Sequence, residues 1–259
     1  MNSHLYGVPV AAILVFALYA CSTNPAGSDS QRARRIADTN IQLGVAYMRQ
    51  GDYDTAMTKL HKALEADPDS ATANGTLAIL YENIGENDLA EKHFKKALRL
   101  SPEDPQTHNN YGQYLCRQGE YTQALEQFKI AASDPLYPGI AASLTNAGIC
   151  AESIPDAKQA EDYFRKALEH DQNYGYALLQ MANLMYTQGN YLAARAYIQR
   201  FDGASKPSAE SLWLGVRVEN ALGDRGAAGN YALRLKNNFP KTKEADSLRE
   251  WENEHRSQQ

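Results

Sequence analysis

Three cysteines and six histidines are the side chains of this 259-residue chain best suited to covalent or metal chemistry. His4, His61, His93, His108, His170 and His255 show no HExxH spacing and no other metal-ligand interval. Three cysteines are too few for a four-cysteine zinc ribbon or a disulfide-dense scaffold. No glycine-rich phosphate loop and no GxSxG elbow occurs. Carboxylates such as Glu65, Asp67 and Asp69 gather at segment boundaries, where they serve as helix caps or solvated charges. The pattern therefore predicts no catalytic residue, no metal site, no cofactor and no small-molecule substrate. What remains is cysteine chemistry. Cys21 ends an apolar run, and Cys116 and Cys150 stand 34 residues apart.

Val8 to Ala20 carries no charge over 13 residues, too short to span a bilayer, which needs about 20 apolar residues. It suits the apolar region of an export signal. Leu18-Tyr19-Ala20-Cys21 resembles a bacterial lipobox, which implies signal removal over 1–20, acylation of Cys21 and, with Ser22 following, an outer-membrane destination. An ordinary cleaved signal with an incidental cysteine, or a buried N-terminal helix, is the alternative. Residues 21–36 read as the lipidated cysteine and a flexible tether, because Ser, Gly, Asp and Asn dominate without apolar periodicity.

The elements that would carry Cys116 and Cys150 follow from a repeat. Gly51, Gly85 and Gly119 are 34 residues apart. Ala56, Ala90 and Ala124 follow at five residues, and Leu60, Phe94 and Phe128 four residues later. Ala63, Ala97 and Ala131 complete the frame, and Pro68 and Pro102 close the first two units. This pattern resembles the tetratricopeptide repeat. The resemblance implies an all-α, right-handed α-solenoid of about six repeats over 37–242: 37–70, 71–104, 105–138, 141–174, 175–208 and 209–242. Gly139 and Ile140 read as an insertion between units three and four, and Pro155 as an odd turn in unit four. Residues 243–259 form a capping helix and tail, with Leu248 and Trp251 apolar. Small residues at Gly44, Ala78, Gly112, Gly148 and Ala182 should let paired helices approach closely. Of the 16 tyrosines, Tyr47, Tyr53, Tyr81, Tyr111, Tyr121 and Tyr191 fall on the repeat frame and should pack.

Cys116 and Cys150 then sit on neighbouring first helices, one period apart. In an oxidising periplasm, with Cys21 acylated, the remaining pair predicts a disulfide joining units three and four. Two buried free thiols packing as small hydrophobes are the alternative.

First helices of such hairpins line a concave face that binds peptides or partner helices. The expected partner-binding residues are Ile79, Asn83, Asn109, Gln113, Arg117, Tyr176, Asn183 and Tyr186, with Ile41, Val45, Met48, Thr145, Ile149 and Leu179 also facing inward. With 26 basic against 31 acidic residues, the net charge of −5 argues against nucleic acid.

A lipobox followed by Ala37-Asp-Thr-Asn-Ile-Gln-Leu-Gly-Val-Ala-Tyr47, the segment Asn109-Asn110-Tyr-Gly-Gln-Tyr-Leu-Cys116-Arg-Gln-Gly119, and a partner cysteine in the next unit resemble the PilW/PilF type IV pilus biogenesis lipoproteins. That resemblance implies a monomeric pilotin, lipid-anchored in the outer membrane and facing the periplasm. Its partner would be the pilus secretin, whose localisation and multimerisation it promotes. An adaptor for peptidoglycan or outer-membrane protein assembly is the alternative.

Overall fold

The computed structural model describes residues 25–154 and 157–256, with side chains over 29–154 and 158–254. The signal segment 1–20, Cys21, the Pro155 turn and the tail after Arg256 lie outside the described residues. Among the described residues there are thirteen helices and no strand. They form six antiparallel hairpins: α1 (Pro25–Arg49) with α2 (Tyr53–Ala66), α3 (Ala71–Asn83) with α4 (Asn87–Leu100), α5 (Pro105–Arg117) with α6 (Tyr121–Ala131), α7 (Ile140–Ala151) with α8 (Ala157–His170), α9 (Gly175–Thr187) with α10 (Tyr191–Ala204), and α11 (Ala209–Ala221) with α12 (Arg225–Asn238). A last helix, α13 (Lys243–Arg256), packs on α11 and α12 and occupies the place of the next hairpin. No described helix is long and apolar enough to cross a membrane.

Local chemistry sets the helix ends. Asp52, Ser70, Asp104, Asn190 and Asp224 each accept a hydrogen bond from a backbone N–H three residues on. Ser208 and Ser211 form a reciprocal capping box at α11. Gly119 ends α5 at φ 83°, a left-handed conformation that lets the chain reverse into α6 after two residues. The Glu120 N–H then donates to the Leu115 carbonyl at 2.9 Å.

Packing within each hairpin is a small residue against a large one. A Cβ added at Gly112 would stand 2.8 Å from Phe128 Cε1, and one at Gly215 2.7 Å from the Tyr231 ring. Gly44 faces Leu60 and Gly148 faces Phe164 in the same way. The apolar interior divides into three clusters. One spans Ala37 to Leu80, a large one runs from Ala78 to Val218, and one joins Leu212, Val216, Leu235, Ala245 and Leu248 under α13. A solenoid has no single centre because each hairpin meets only its neighbours.

One expectation is corrected. The tether is helical from Pro25, as α1 runs back 12 residues ahead of Ala37. Extending a helix already anchored by buried Ala37 and Ile41 costs little, and Gln31 to Ile36 are adequate helix formers. Thr39 and Asn40 donate back to the Arg35 and Ile36 carbonyls instead of breaking the helix. Arg32, Arg34 and Arg35 are solvated. The two-residue insertion before unit four stands, since Gly112 and Gly148, which meet Phe128 and Phe164 in the same way, are 36 residues apart; Ile140 opens α7 and is buried in the large cluster.

Candidate functional site: the face of the first helices

The first helices α1, α3, α5, α7, α9 and α11 contact one another in series. The second helices pack on their own partner and the next first helix, with side-chain bonds from Tyr231 and Arg234 of α12 to Asp202 of α10. The tightly packed series is therefore the concave side, and its side chains form the groove.

The structure places the expected residues at different depths. Asn83 and Arg117 are exposed at the ends of α3 and α5. Ile79, Gln113, Asn183 and Tyr186 are half-buried on the groove face, and Tyr176 is 46% exposed at the start of α9. Asn109 is not available. It is 5% exposed, and its Oδ1 accepts from Ser143 Oγ at 3.1 Å and Asn146 Nδ2 at 3.0 Å, tying α5 to α7. Ile41, Thr145 and Leu179, on the same register, are buried as well. Thr145 donates to the Ala141 carbonyl of its own helix. That register points between adjacent first helices. One residue further on, Asn110, Asn146 and Gln180 are partly accessible, and these the sequence reading missed. The doublet Asn109-Asn110 offered no way to tell the inward amide from the groove amide.

Cys116 on α5 and Cys150 on α7 are brought to disulfide-bonding distance, with Cα atoms 5.8 Å apart, inside the normal span for a bridge. Beside them, Arg117 reaches across to Glu82 on α3, its Nε and Nη2 donating to the two carboxylate oxygens at 2.6 and 2.8 Å. Three first helices are thus cross-tied at one level of the groove.

The charge of the groove is largely paired, and its aromatic content rises toward α13. Tyr186 packs on Tyr191 with centroids 5.5 Å apart and lies under the Arg217 guanidinium at 4.8 Å. Trp213 stands 5.8 Å from the same guanidinium. Burial, then Glu210, pushes the Tyr176 phenol above its ordinary range, so it presents a neutral hydroxyl. Burial first, then the Glu91 carboxylate, pushes Tyr111 up to about 12. No group of three His, Cys, Asp or Glu side chains among the described residues is placed to hold a metal. The arrangement offers amide, aromatic and apolar contacts for a polypeptide.

Paired helices closed by small-on-large contacts define a tetratricopeptide-repeat solenoid. A tetratricopeptide repeat family model matches residues 41–105 and 110–177, and a second covers 93–126. The type IV pilus assembly protein PilF of Pseudomonas aeruginosa is 35% identical over 239 residues, covering 89% of this chain and 94% of that protein. The solved structure of Pseudomonas aeruginosa PilF superposes with a TM-score of 0.72 at 34% identity, over 87% of this chain and 99% of the other. PilW, described as a widely conserved type IV pilus biogenesis factor, superposes with a TM-score of 0.72 at 29% identity, over 82% of this chain and 98% of the other. The chain belongs to the PilF/PilW family of type IV pilus tetratricopeptide-repeat proteins.

Proposed function

We propose that this protein is a pilotin: a lipid-anchored protein of the outer membrane, facing the periplasm, that binds the type IV pilus secretin and promotes its localisation and multimerisation there. The observation that carries the reading is the 35% identity to PilF over nearly the full length of both chains, on a fold whose groove offers amide, aromatic and apolar contacts. Export would remove 1–20, and acyl chains on Cys21 would hold the solenoid at the membrane. Each buried methylene of such chains contributes about 0.8 kcal/mol, and more than one chain is needed for stable anchoring. The solenoid, acting as a monomer, grips a secretin segment by contact and without covalent chemistry. Arg117, Gln113, Asn183, Tyr176 and Tyr186 are the groove residues assigned to that contact, with Ile79 and Asn83 at its N-terminal side. Cys116 and Cys150 would be oxidised to a bridge in the periplasm.

Deletion of the gene tests the reading directly. Heat-resistant secretin multimers in outer-membrane fractions, and twitching on agar, should both fall sharply and return with the wild-type gene. Normal multimers and normal twitching in a clean deletion would overturn it. Cys21→Ala should release the protein from the membrane fraction. If it stayed there, the anchor assignment would fail.

A further inference from the structure

Arg217 on α11 differs from the other structured cations around it. Arg195 pairs with Glu219 and with Asp224, Arg234 approaches Asp202, and Lys236 reaches Glu252 at 2.7 Å. Arg217 instead lies against two aromatic faces, Tyr186 of the preceding hairpin and Trp213 one turn back on its own helix. Its Nε is buried with no hydrogen-bond partner among the described residues. Arg217 makes no ion pair among the described residues although its side chain lines a cleft, and a guanidinium without a carboxylate partner suits an anionic ligand that its forked N–H groups can bind.

The space beside this edge has a shape. A cleft of about 330 Å³ is lined by Tyr186, Trp213, Arg217, Asn220 and, from α13, Trp251. It shares Val216, Asn220 and Trp251 with a second cleft of about 560 Å³ that continues over Ala228, Ala232 and Leu248 between α11, α12 and α13. The first is aromatic and cationic, and the second mixes Val216, Ala228, Ala232 and Leu248 with Arg225 and Glu252. Two joined clefts suit an extended chain that enters by one and leaves by the other. A chain terminus would fill only one.

We propose that the α9–α11–α13 end of the groove is a docking site for an internal acidic–apolar segment of a protein partner, with a carboxylate on Arg217 and the adjoining apolar side chain on the Trp213 and Trp251 rings. Resting on the pilus-partner reading above, this specifies where on the solenoid that contact is made and what chemistry it selects. The charge argument fixes the first half of the motif, because a guanidinium without a carboxylate partner calls for an anion. The Trp213 and Trp251 rings that line the same cleft fix the other half.

The chain has two tryptophans, and both line the site, so intrinsic fluorescence reads occupancy without a label. The probe is a peptide blocked at both ends, with Asp-Phe at the centre of a Gly/Ser sequence, titrated into the full protein. Its Asn-Phe and Asp-Ala relatives, and a peptide ending in a free C-terminal Phe, are the comparison arms. The Asp-Phe peptide should perturb Trp213 and Trp251. Arg217→Gln, or the Asn-Phe peptide, should weaken binding about 10- to 100-fold, the range of a charge-assisted hydrogen bond. Arg217→Lys should recover only part of the loss, since it keeps the charge and loses the fork. Equal binding by wild type and Arg217→Gln, with both giving the same helical circular dichroism, overturns the site. Preference for the free C-terminal Phe peptide over the internal Asp-Phe peptide overturns the internal-segment assignment. Capture of the full-length secretin by Arg217→Gln at wild-type strength overturns this site and leaves the pilotin reading standing. Arg217-dependent peptide binding in a protein whose deletion leaves secretin multimers normal does the reverse.

Discussion

Reducing the bridge between Cys116 and Cys150 should destabilise the middle of the solenoid by an amount set by chain entropy. The bridge closes a loop of 34 residues containing α6 and the turn that leads into α7. Loop-closure entropy for that length is about 12.6 cal/mol/K, or about 3.8 kcal/mol at 25 °C. For a protein of this size, that is a fall in melting temperature of about 8–15 °C. Reductant on the wild type is a cleaner perturbation than mutation, because Cys150 is fully buried and Cys150→Ala would add a small cavity to the entropic loss. The assay is urea or thermal unfolding with and without reductant, read by helical circular dichroism and by tryptophan fluorescence together. Trp213 and Trp251 lie in the last hairpin and the capping helix. The bridge ends two hairpins before Trp213, and repeat stability is passed only between neighbours. The dichroism transition should therefore move further than the fluorescence transition. Thiol labelling of the denatured protein supplies the control: Cys116 and Cys150 should be blocked before reduction and free after it. Two free thiols before reduction would refute the bridge. Thiols released by reductant with an unmoved dichroism transition would refute the entropy argument.

Gly112→Ala should cost about 1–3 kcal/mol by urea unfolding, because its Cβ would meet a Phe128 ring that is 1% exposed and cannot swing away. Phe128→Ile in the same background should recover part of it, as the pairing of Ala182 with Ile198 is already used in unit five. Asn109→Ala should cost about 1–3 kcal/mol by leaving Ser143 and Asn146 short of an acceptor, yet leave secretin capture by the folded protein unchanged. Loss of capture at full stability would return Asn109 to the groove. Burial first, then Lys96, Lys92 and His61, lowers the His93 pKa below its ordinary 6.5. The folded state therefore binds this proton less readily than the unfolded chain. The stability it contributes is present above pH 6.5 and is lost as pH falls through the folded value. His93→Gln should flatten the decline in urea midpoint from pH 7 to pH 5, and an unaltered slope would exclude His93 as its source.

The repeat was legible because packing geometry writes itself at a fixed interval. A small residue on one helix and a large one sixteen positions later must meet, as Gly112 and Phe128 do, and only a constant period allows this in every hairpin. The cysteines were legible because adjacent first helices lie side by side; the two-residue insertion sets Cys150 two residues ahead of the position equivalent to Cys116, and the Cα atoms still come within 5.8 Å. The tether was misread because Ser, Asp and Asn signal loops locally, while the helix is held from its far end by Ala37 and Ile41. Asn109 was misplaced by one residue, about 100° around a helix, which separates a packed interface from a solvent groove. The Arg217 constellation left no mark in the spacing. Tyr186, Arg217 and Trp251 come from three helices across units five, six and the cap, and no period links an unlike end to the repeats before it.

The ties between the middle hairpins include three on the first helices. Asn109 to Ser143 and Asn146, Cys116 to Cys150, and Arg117 to Glu82 all join α3, α5 and α7 on or beside the groove, while toward the C-terminal end Tyr231 and Arg234 of α12 reach Asp202 of α10. Curvature is thus set from the concave side, at the surface a partner meets. A groove whose spacing is fixed before binding spares the complex the cost of ordering it, so more of the contact energy appears as affinity. Each end carries its own smaller apolar cluster, with Tyr81 at one end and Tyr231 at the other packed against both that cluster and the large one. Middle hairpins tied across their first helices suit a solenoid that keeps a fixed surface for a polypeptide partner.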